Sequence, residues 1–224
     1  MRWYFVVEGR QTEKKIYKAW LQHAFPSLEA VRRIEDMAED RYYLIAGNGY
    51  PSYLDRIREA VENIRAEPGR FDHLWVCVDS EERTAEACRA EIDDIIAGAV
   101  CPVASTVVVQ HCCIETWLLG NRKVVKRNPQ SEILRELYDH YDVLTRDPEG
   151  LPALPPRYPL RAALHEAYLR ELFRERNRPY NKHHPSEACD LPYLRELIGR
   201  VDETEHLQSL RLLIACWREL GARV

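Results

Sequence analysis

Four carboxylates stand in this chain where a carboxylate is expensive to keep. Glu8 follows the apolar run Trp3-Tyr4-Phe5-Val6-Val7 and precedes Gly9, and Asp79 and Glu81 follow Leu74-Trp75-Val76-Cys77-Val78. Glu115 lies in Ile114-Glu115-Thr116-Trp117, a few residues after Ser105-Thr106-Val107-Val108-Val109. Desolvating a carboxylate at the end of an apolar run is unfavourable unless a cation or hydrogen-bond donors face it. Acids gathered in one crevice repel each other until protons or a cation intervene. Hard divalent ions prefer all-oxygen ligands, so these residue types suit Mg²⁺ or Mn²⁺ better than zinc.

For the four to meet, their elements must bring them to one edge. The apolar, β-branched runs read as strands, and the segments between them carry helical periodicity. Ile16, Tyr17, Trp20 and Leu21 share one helical face, Tyr53, Ile57, Val61 and Ile64 a second, and Cys88, Ile92, Ile95 and Ile96 a third. Tyr42-Tyr43-Leu44-Ile45, closed by Gly47-Asn48-Gly49, gives one more strand. Continuous apolar strands alternating with amphipathic helices predict an α/β fold, a mostly parallel sheet with helices on both faces. In such sheets sites lie at the carboxyl ends of the strands. If the strands ending at Val7, Val78 and Val109 are neighbours, Glu8, Asp79, Glu81 and Glu115 share one crevice.

From about Lys126 only helical patterns remain, around a Pro-rich stretch from Asp147 to Pro159. The expected organisation is an α/β domain over residues 1–125 and a helical appendage over 126–224. The appendage carries Arg170, Arg174, Arg176 and Arg178, then Tyr180-Asn181-Lys182-His183-His184. Arg174, Arg178, Lys182 and His183 are candidates for contacting phosphates, with Lys182 able to stabilise charge in the crevice. Each candidate also has a plainer reading. Glu171 and Glu175 would make the arginine run a solvated face, and Glu81, Glu82 and Glu86 suit the acidic first turn of a helix. Glu115 suits a cap for the helix holding Trp117. Thr12 reads as an N-cap, with Glu13 complementing the helix dipole.

Composition narrows the class. The chain has 224 residues, 46% hydrophobic and 30% charged, as an ordinary globular protein has. No run approaches the roughly 20 apolar residues of a membrane span. No leader-like segment precedes the first strand, and the expected compartment is the cytoplasm. A net charge of −4 excludes a globally basic nucleic-acid binder but not a nuclease with an acidic centre. The seven cysteines are odd in number and scattered, so reduced thiols are expected. His111 beside Cys112-Cys113 looks zinc-like, but no CxxC or HxxxH accompanies it.

At the acidic positions the chain resembles the TOPRIM family, the domain shared by topoisomerases, primases and nucleases of the overcoming-lysogenization-defect class. That family has a Glu after its first strand, as in Val6-Val7-Glu8-Gly9, and a DxD motif after a later one, where this chain has Asp79-Ser80-Glu81. It is most similar to stand-alone RloB-like proteins of prokaryotic defence and restriction loci. Their Glu-Gly-x-x-Thr-Glu-x-x-Tyr pattern fits Glu8 to Tyr17 with one extra residue. Their Phe-Glu-x-Trp-Leu-Leu fits Ile114 to Leu119 with Ile114 in place of Phe, and a late Tyr-x-Lys fits Tyr180-Asn181-Lys182.

The resemblance implies a Mg²⁺- or Mn²⁺-dependent nuclease acting on DNA or RNA in phage defence or restriction. It gives Asp79 and Glu81 as metal ligands, Glu8 as base or bridging ligand, Glu115 as completing a second metal position, and Lys182 as a catalytic cation. No GxxxxGK[ST] loop occurs, so any ATP dependence implies a partner ATPase in trans. A homo-oligomer is compatible with this reading. The competing reading is an inactive TOPRIM-like module that binds nucleic acid or such an ATPase without cutting. A haloacid-dehalogenase-type phosphatase would need Asp where Glu81 stands and Thr where Arg83 stands, and has neither.

Overall fold

The computed structural model describes residues 1–183 and 185–224; His184 and the Ser186 side chain lie outside the described residues. Five parallel strands form one sheet: β1 (Arg2–Val7), β2 (Glu29–Val31), β3 (Arg41–Ala46), β4 (His73–Asp79) and β5 (Ala104–Gln110), in the order β2-β3-β1-β4-β5. The expected neighbours are in place, with β1 pairing β4 and β4 pairing β5. The short edge strand β2 has no apolar run and was not legible from pattern. Strand order reverses about β1, whose neighbours are β3 and β4. The crevice of an open α/β sheet therefore opens at the carboxyl end of β1, immediately before Glu8.

Eight α-helices occur among the described residues: α1 (Thr12–Ala24), α2 (Ser52–Ala66), α3 (Ala85–Gly98), α4 (Ile114–Leu118), α5 (Glu132–His140), α6 (Arg161–Glu175), α7 (Leu191–Glu203) and α8 (Gln208–Glu219). Both faces of β1 are covered. Tyr4 and Val6 pack with Ile57, Val61 and Ile92 of α2 and α3. Trp3, Phe5 and Val7 face the other way, into a cluster with Trp20, Trp117, Leu172, Leu197 and Trp217. Period-two alternation thus sends each half of one apolar run into a different core.

The second cluster joins the sheet to the helical half, because α6, α7 and α8 contribute to the same apolar interior as α1 and β1. Buried Arg200 reinforces the join. Its guanidinium donates to the carbonyls of Gly120 (3.1 Å), Val143 (2.8 Å) and Arg146 (2.6 Å), tying α7 to two loops. No helix among the described residues is long and apolar enough to cross a membrane.

Candidate metal centre

The acidic site is built where β1, β4 and the segment after β5 end. Glu8 is buried, at 6% exposure. Its Oε2 accepts the Asp79 amide (2.9 Å), and its own N–H donates to the Cys77 carbonyl (3.0 Å). Burial pushes the Glu8 carboxyl up to about 7, with the charges of Glu81 and Glu13 adding to the rise and the Asp79 and Tyr50 amides opposing it. Asp79 is raised well above its ordinary value by burial and by Glu13, Glu8 and Glu115. Its Oδ1 is shut off from solvent, with no hydrogen-bond partner among the described residues. A buried carboxylate oxygen without a donor is costly, and here it sits among other acids.

Glu81 follows in a left-handed conformation, with φ of 50°. A non-glycine residue there is uncommon and costs on the order of 1–2 kcal/mol. The turn is held by the Ser80 and Glu81 amides, which donate to the Gln110 (3.0 Å) and Cys112 (2.8 Å) carbonyls. This kink separates Glu81 from the helix that follows. Thr84 is the N-cap of α3, accepting the Ala87 amide, so of the three acids only Glu86 lies in the first turn. Glu82 instead accepts the Arg161 amide (2.6 Å) at the start of α6. The acidic-first-turn reading does not describe Glu81.

A cavity of about 210 Å³ is lined by Glu13, Asp79, Glu81, Glu115 and Glu166, together with Thr12, Cys113, Ala162, Ala163 and Lys182. Glu115 is buried in the first turn of α4 and accepts a hydrogen bond from the Tyr180 hydroxyl (3.1 Å). The capping role falls to Cys113 and Thr116. Lys182 lies 3.3 Å from Glu166. Burial works against its charge, but Glu115, Glu166 and Glu13 together hold it above the usual lysine range.

Two members were not read as site residues from sequence. Glu13, taken there as a dipole complement, lines the cavity; burial and neighbouring Glu115 raise its carboxyl, while its own backbone amide and Lys182 oppose the rise. Gly9 makes its position available, because a Cβ on Gly9 would overlap the Glu13 carboxylate. The signal was the Glu-Gly turn followed four residues later by an acid. Glu166 gave no signal beyond its spacing to Arg170, with which it pairs on α6. The N-cap expectation for Thr12 is corrected: Gln11 occupies that position, and the Thr12 hydroxyl donates to the Lys182 carbonyl (3.1 Å). With Lys15, which donates to the His183 carbonyl, this contact pins the late segment onto α1.

Arg174 and Arg178 are elsewhere. They line a separate groove of about 360 Å³ with Arg170, Asn177, Pro179 and Tyr180, and pair with Glu171 and Glu187. Tyr180 connects the two places, lining the groove while its hydroxyl holds Glu115. His183 is exposed, its amide donating to Asn181 Oδ1 (2.9 Å), and is not part of the cavity lining.

Beside the acids, ligand atoms of Cys112, Cys113 and His165 lie within 4.8 Å of one another, all buried. The histidine meeting the cysteine pair is therefore His165 and not His111. Its ring is already engaged on both sides: the Thr116 hydroxyl, accepting the Cys112 and Cys113 amides, is 2.6 Å from Nδ1, and the Leu151 carbonyl is 3.2 Å from Nε2. A neutral ring donating from Nε2 satisfies every partner, and burial lowers His165 to about 4. The Cys113 thiol is raised well above its ordinary value by its hydrogen bond to Cys112 and by burial. These groups form a hydrogen-bonded hub under α4. The carboxylate-lined cavity suits a hard cation better, since five of its lining side chains are carboxylates and Asp79 Oδ1 lacks a partner among the described residues. No family model matches the chain, and comparisons with curated proteins and with solved structures find no match.

Proposed function

We propose that this chain is a divalent-metal-dependent nuclease that hydrolyses phosphodiester bonds of DNA or RNA. The observation that carries the reading is Asp79, which has a buried Oδ1 without a hydrogen-bond partner among the described residues and which lines a cavity with four further carboxylates and one ammonium. Asp79, Glu81 and Glu115 would hold Mg²⁺ or Mn²⁺. When bound, such an ion polarises a phosphoryl oxygen and activates water. Glu8, fixed by the Asp79 amide, orients the attacking water and takes its proton as the new P–O bond forms. Lys182 faces the negative charge that develops as the ester oxygen leaves. Tyr180 fixes Glu115, and Gly9 leaves room for Glu13 beside the ligands. A role in prokaryotic defence, with an ATPase supplied in trans, follows from the RloB-like resemblance and belongs to the same proposal.

The test is direct. Purified protein is mixed with plasmid DNA or transfer RNA and Mg²⁺ or Mn²⁺. Cleavage is expected with the ion, and loss of cleavage with EDTA or with Asp79→Asn. Cleavage that survives Asp79→Asn overturns the assignment.

A further inference from the structure

Tyr50 is a large aromatic side chain left 56% exposed at the rim of the acidic site. Its loop is fastened to Glu8. The Gly47 amide donates to the Val7 carbonyl (2.7 Å) and the Asn48 amide to the Glu8 carbonyl (2.9 Å). The Tyr50 amide itself favours the ionised Glu8 carboxylate. The ring is equally constrained. The Arg83 guanidinium lies over it, 5.5 Å from its centroid, and Tyr53 packs against it at 5.9 Å and 60°. Arg83 is in turn anchored to Glu91 (2.7 Å) and the Ala87 carbonyl (3.3 Å). Exposed Arg10 is held by Asn48 of the same loop. An acidic centre thus adjoins a half-exposed aromatic ring with Arg83 over it, on a loop that is fastened to the Glu8 backbone and that also holds Arg10.

We infer that Tyr50 is a stacking platform for an unpaired nucleobase, and that the strand enters this site single-stranded, its phosphates met by Arg10 and Arg83. This rests on the nuclease reading for its choice of ligand. A half-exposed aromatic ring beside arginines is the kind of surface by which proteins hold single strands with little sequence preference. In a duplex each base is already stacked on both sides, so only an unpaired or extruded base can use the ring.

The experiment measures fluorescence polarisation of a labelled oligothymidylate of about twelve nucleotides, within the range of known single-strand sites. The full chain carries Asp79→Asn and is kept in Mg²⁺, so that binding is read without cutting. Adding Tyr50→Ala is expected to weaken binding about tenfold, and Tyr50→Trp to preserve it. An abasic strand of equal length is expected to bind both proteins alike, which separates stacking from phosphate attraction. Equal binding of the oligothymidylate by the Tyr50→Ala protein and its parent overturns the inference, as does preference for the duplex. Cleavage by the unsubstituted protein is followed in parallel. Tyr50-dependent binding without any cleavage removes the nuclease reading and leaves this one supported. Cleavage of duplex and single strand at equal rates, unaffected by Tyr50→Ala, does the reverse.

Discussion

Replacing Glu8 with Gln isolates the electrostatic cost of the acidic edge, and its effect on stability depends on pH in a way that can be worked out. Raising a carboxyl from 4.5 to about 7 penalises its ionised, folded form by roughly 3 kcal/mol. The folded group holds its proton more tightly than the unfolded one. Its contribution to stability is therefore full below the unfolded value of 4.5 and is lost as pH rises through about 7. Between pH 5.5 and pH 8 the metal-free protein should lose about 2 kcal/mol from this group alone. Four histidines act oppositely. Burial lowers His73, His111, His165 and His206, so their neutral folded forms gain as pH rises through their ordinary 6.5. The informative quantity is therefore the difference between Glu8→Gln and the parent protein, in which the histidines cancel. In EDTA the margin by which the Gln protein out-melts the parent should widen by roughly 4–8 °C between pH 5.5 and pH 8, taking about 2–4 °C per kcal/mol for a chain of this size. Added Mg²⁺ should narrow that gap by stabilising the parent, because an ion that binds only the folded carboxylates adds to stability by mass action. Thermal scans at both pH values, with and without the ion, measure all of it. A gap that does not change with pH would refute the reasoning.

Three further outcomes are expected. Gly9→Ala should displace the end of the flexible Glu13 side chain and not the fold, lowering Mg²⁺ affinity several-fold in a calorimetric titration while Tm moves by less than about 3 °C. Arg200→Met should leave three buried carbonyls without a donor and cost about 3 kcal/mol or more, read as a Tm fall of roughly 6–12 °C; an unchanged Tm would show that the loops at Gly120, Val143 and Arg146 do not depend on it. The cluster of Cys112, Cys113 and His165 should carry less than stoichiometric zinc by elemental analysis of the purified protein, because both ring nitrogens already have partners; one zinc per chain would contradict the hub described above.

How much of this was legible in the sequence depended on whether a residue's neighbours were set by strand order or by a tertiary turn. Four of the five strands were readable because apolar runs buried on both faces leave a continuous pattern, and from them came the meeting of Glu8, Asp79 and Glu81. The edge strand Glu29–Val31 was not readable, since an edge need not be apolar. Glu13 does stand in the first turn of α1, where helix-dipole chemistry expects an acid, but that expectation left its second place, in the cavity lining, unread. Glu166 and the pairing of Tyr180 with Glu115 were invisible: Glu166 meets the acids of the sheet edge only as cavity lining, and Tyr180 reaches Glu115 across 65 residues, with no local signature for either. The helical character of the chain after Lys126 was readable from pattern, but not the place of α7 and α8 in the core shared with β1.

That shared core bears on why the acids can coexist at all. Five carboxylates around one cavity would scatter if each were free to move, and a separate helical module could not hold Lys182 against them. Here the cation comes from the helical half, pinned by Thr12 and Lys15 of α1, while Glu166 comes from α6 of that same half. Sheet and helices therefore each supply charges of the site, and packing fixes the spacing between them before any metal binds. The repulsion left over is concentrated at Asp79 and Glu8, the two groups whose carboxyls burial and neighbouring acids raise most clearly. On the proposed function, a site preorganised with an unrelieved charge is one that a divalent cation would relieve by binding, and the repulsion that lowers stability without metal would favour its entry.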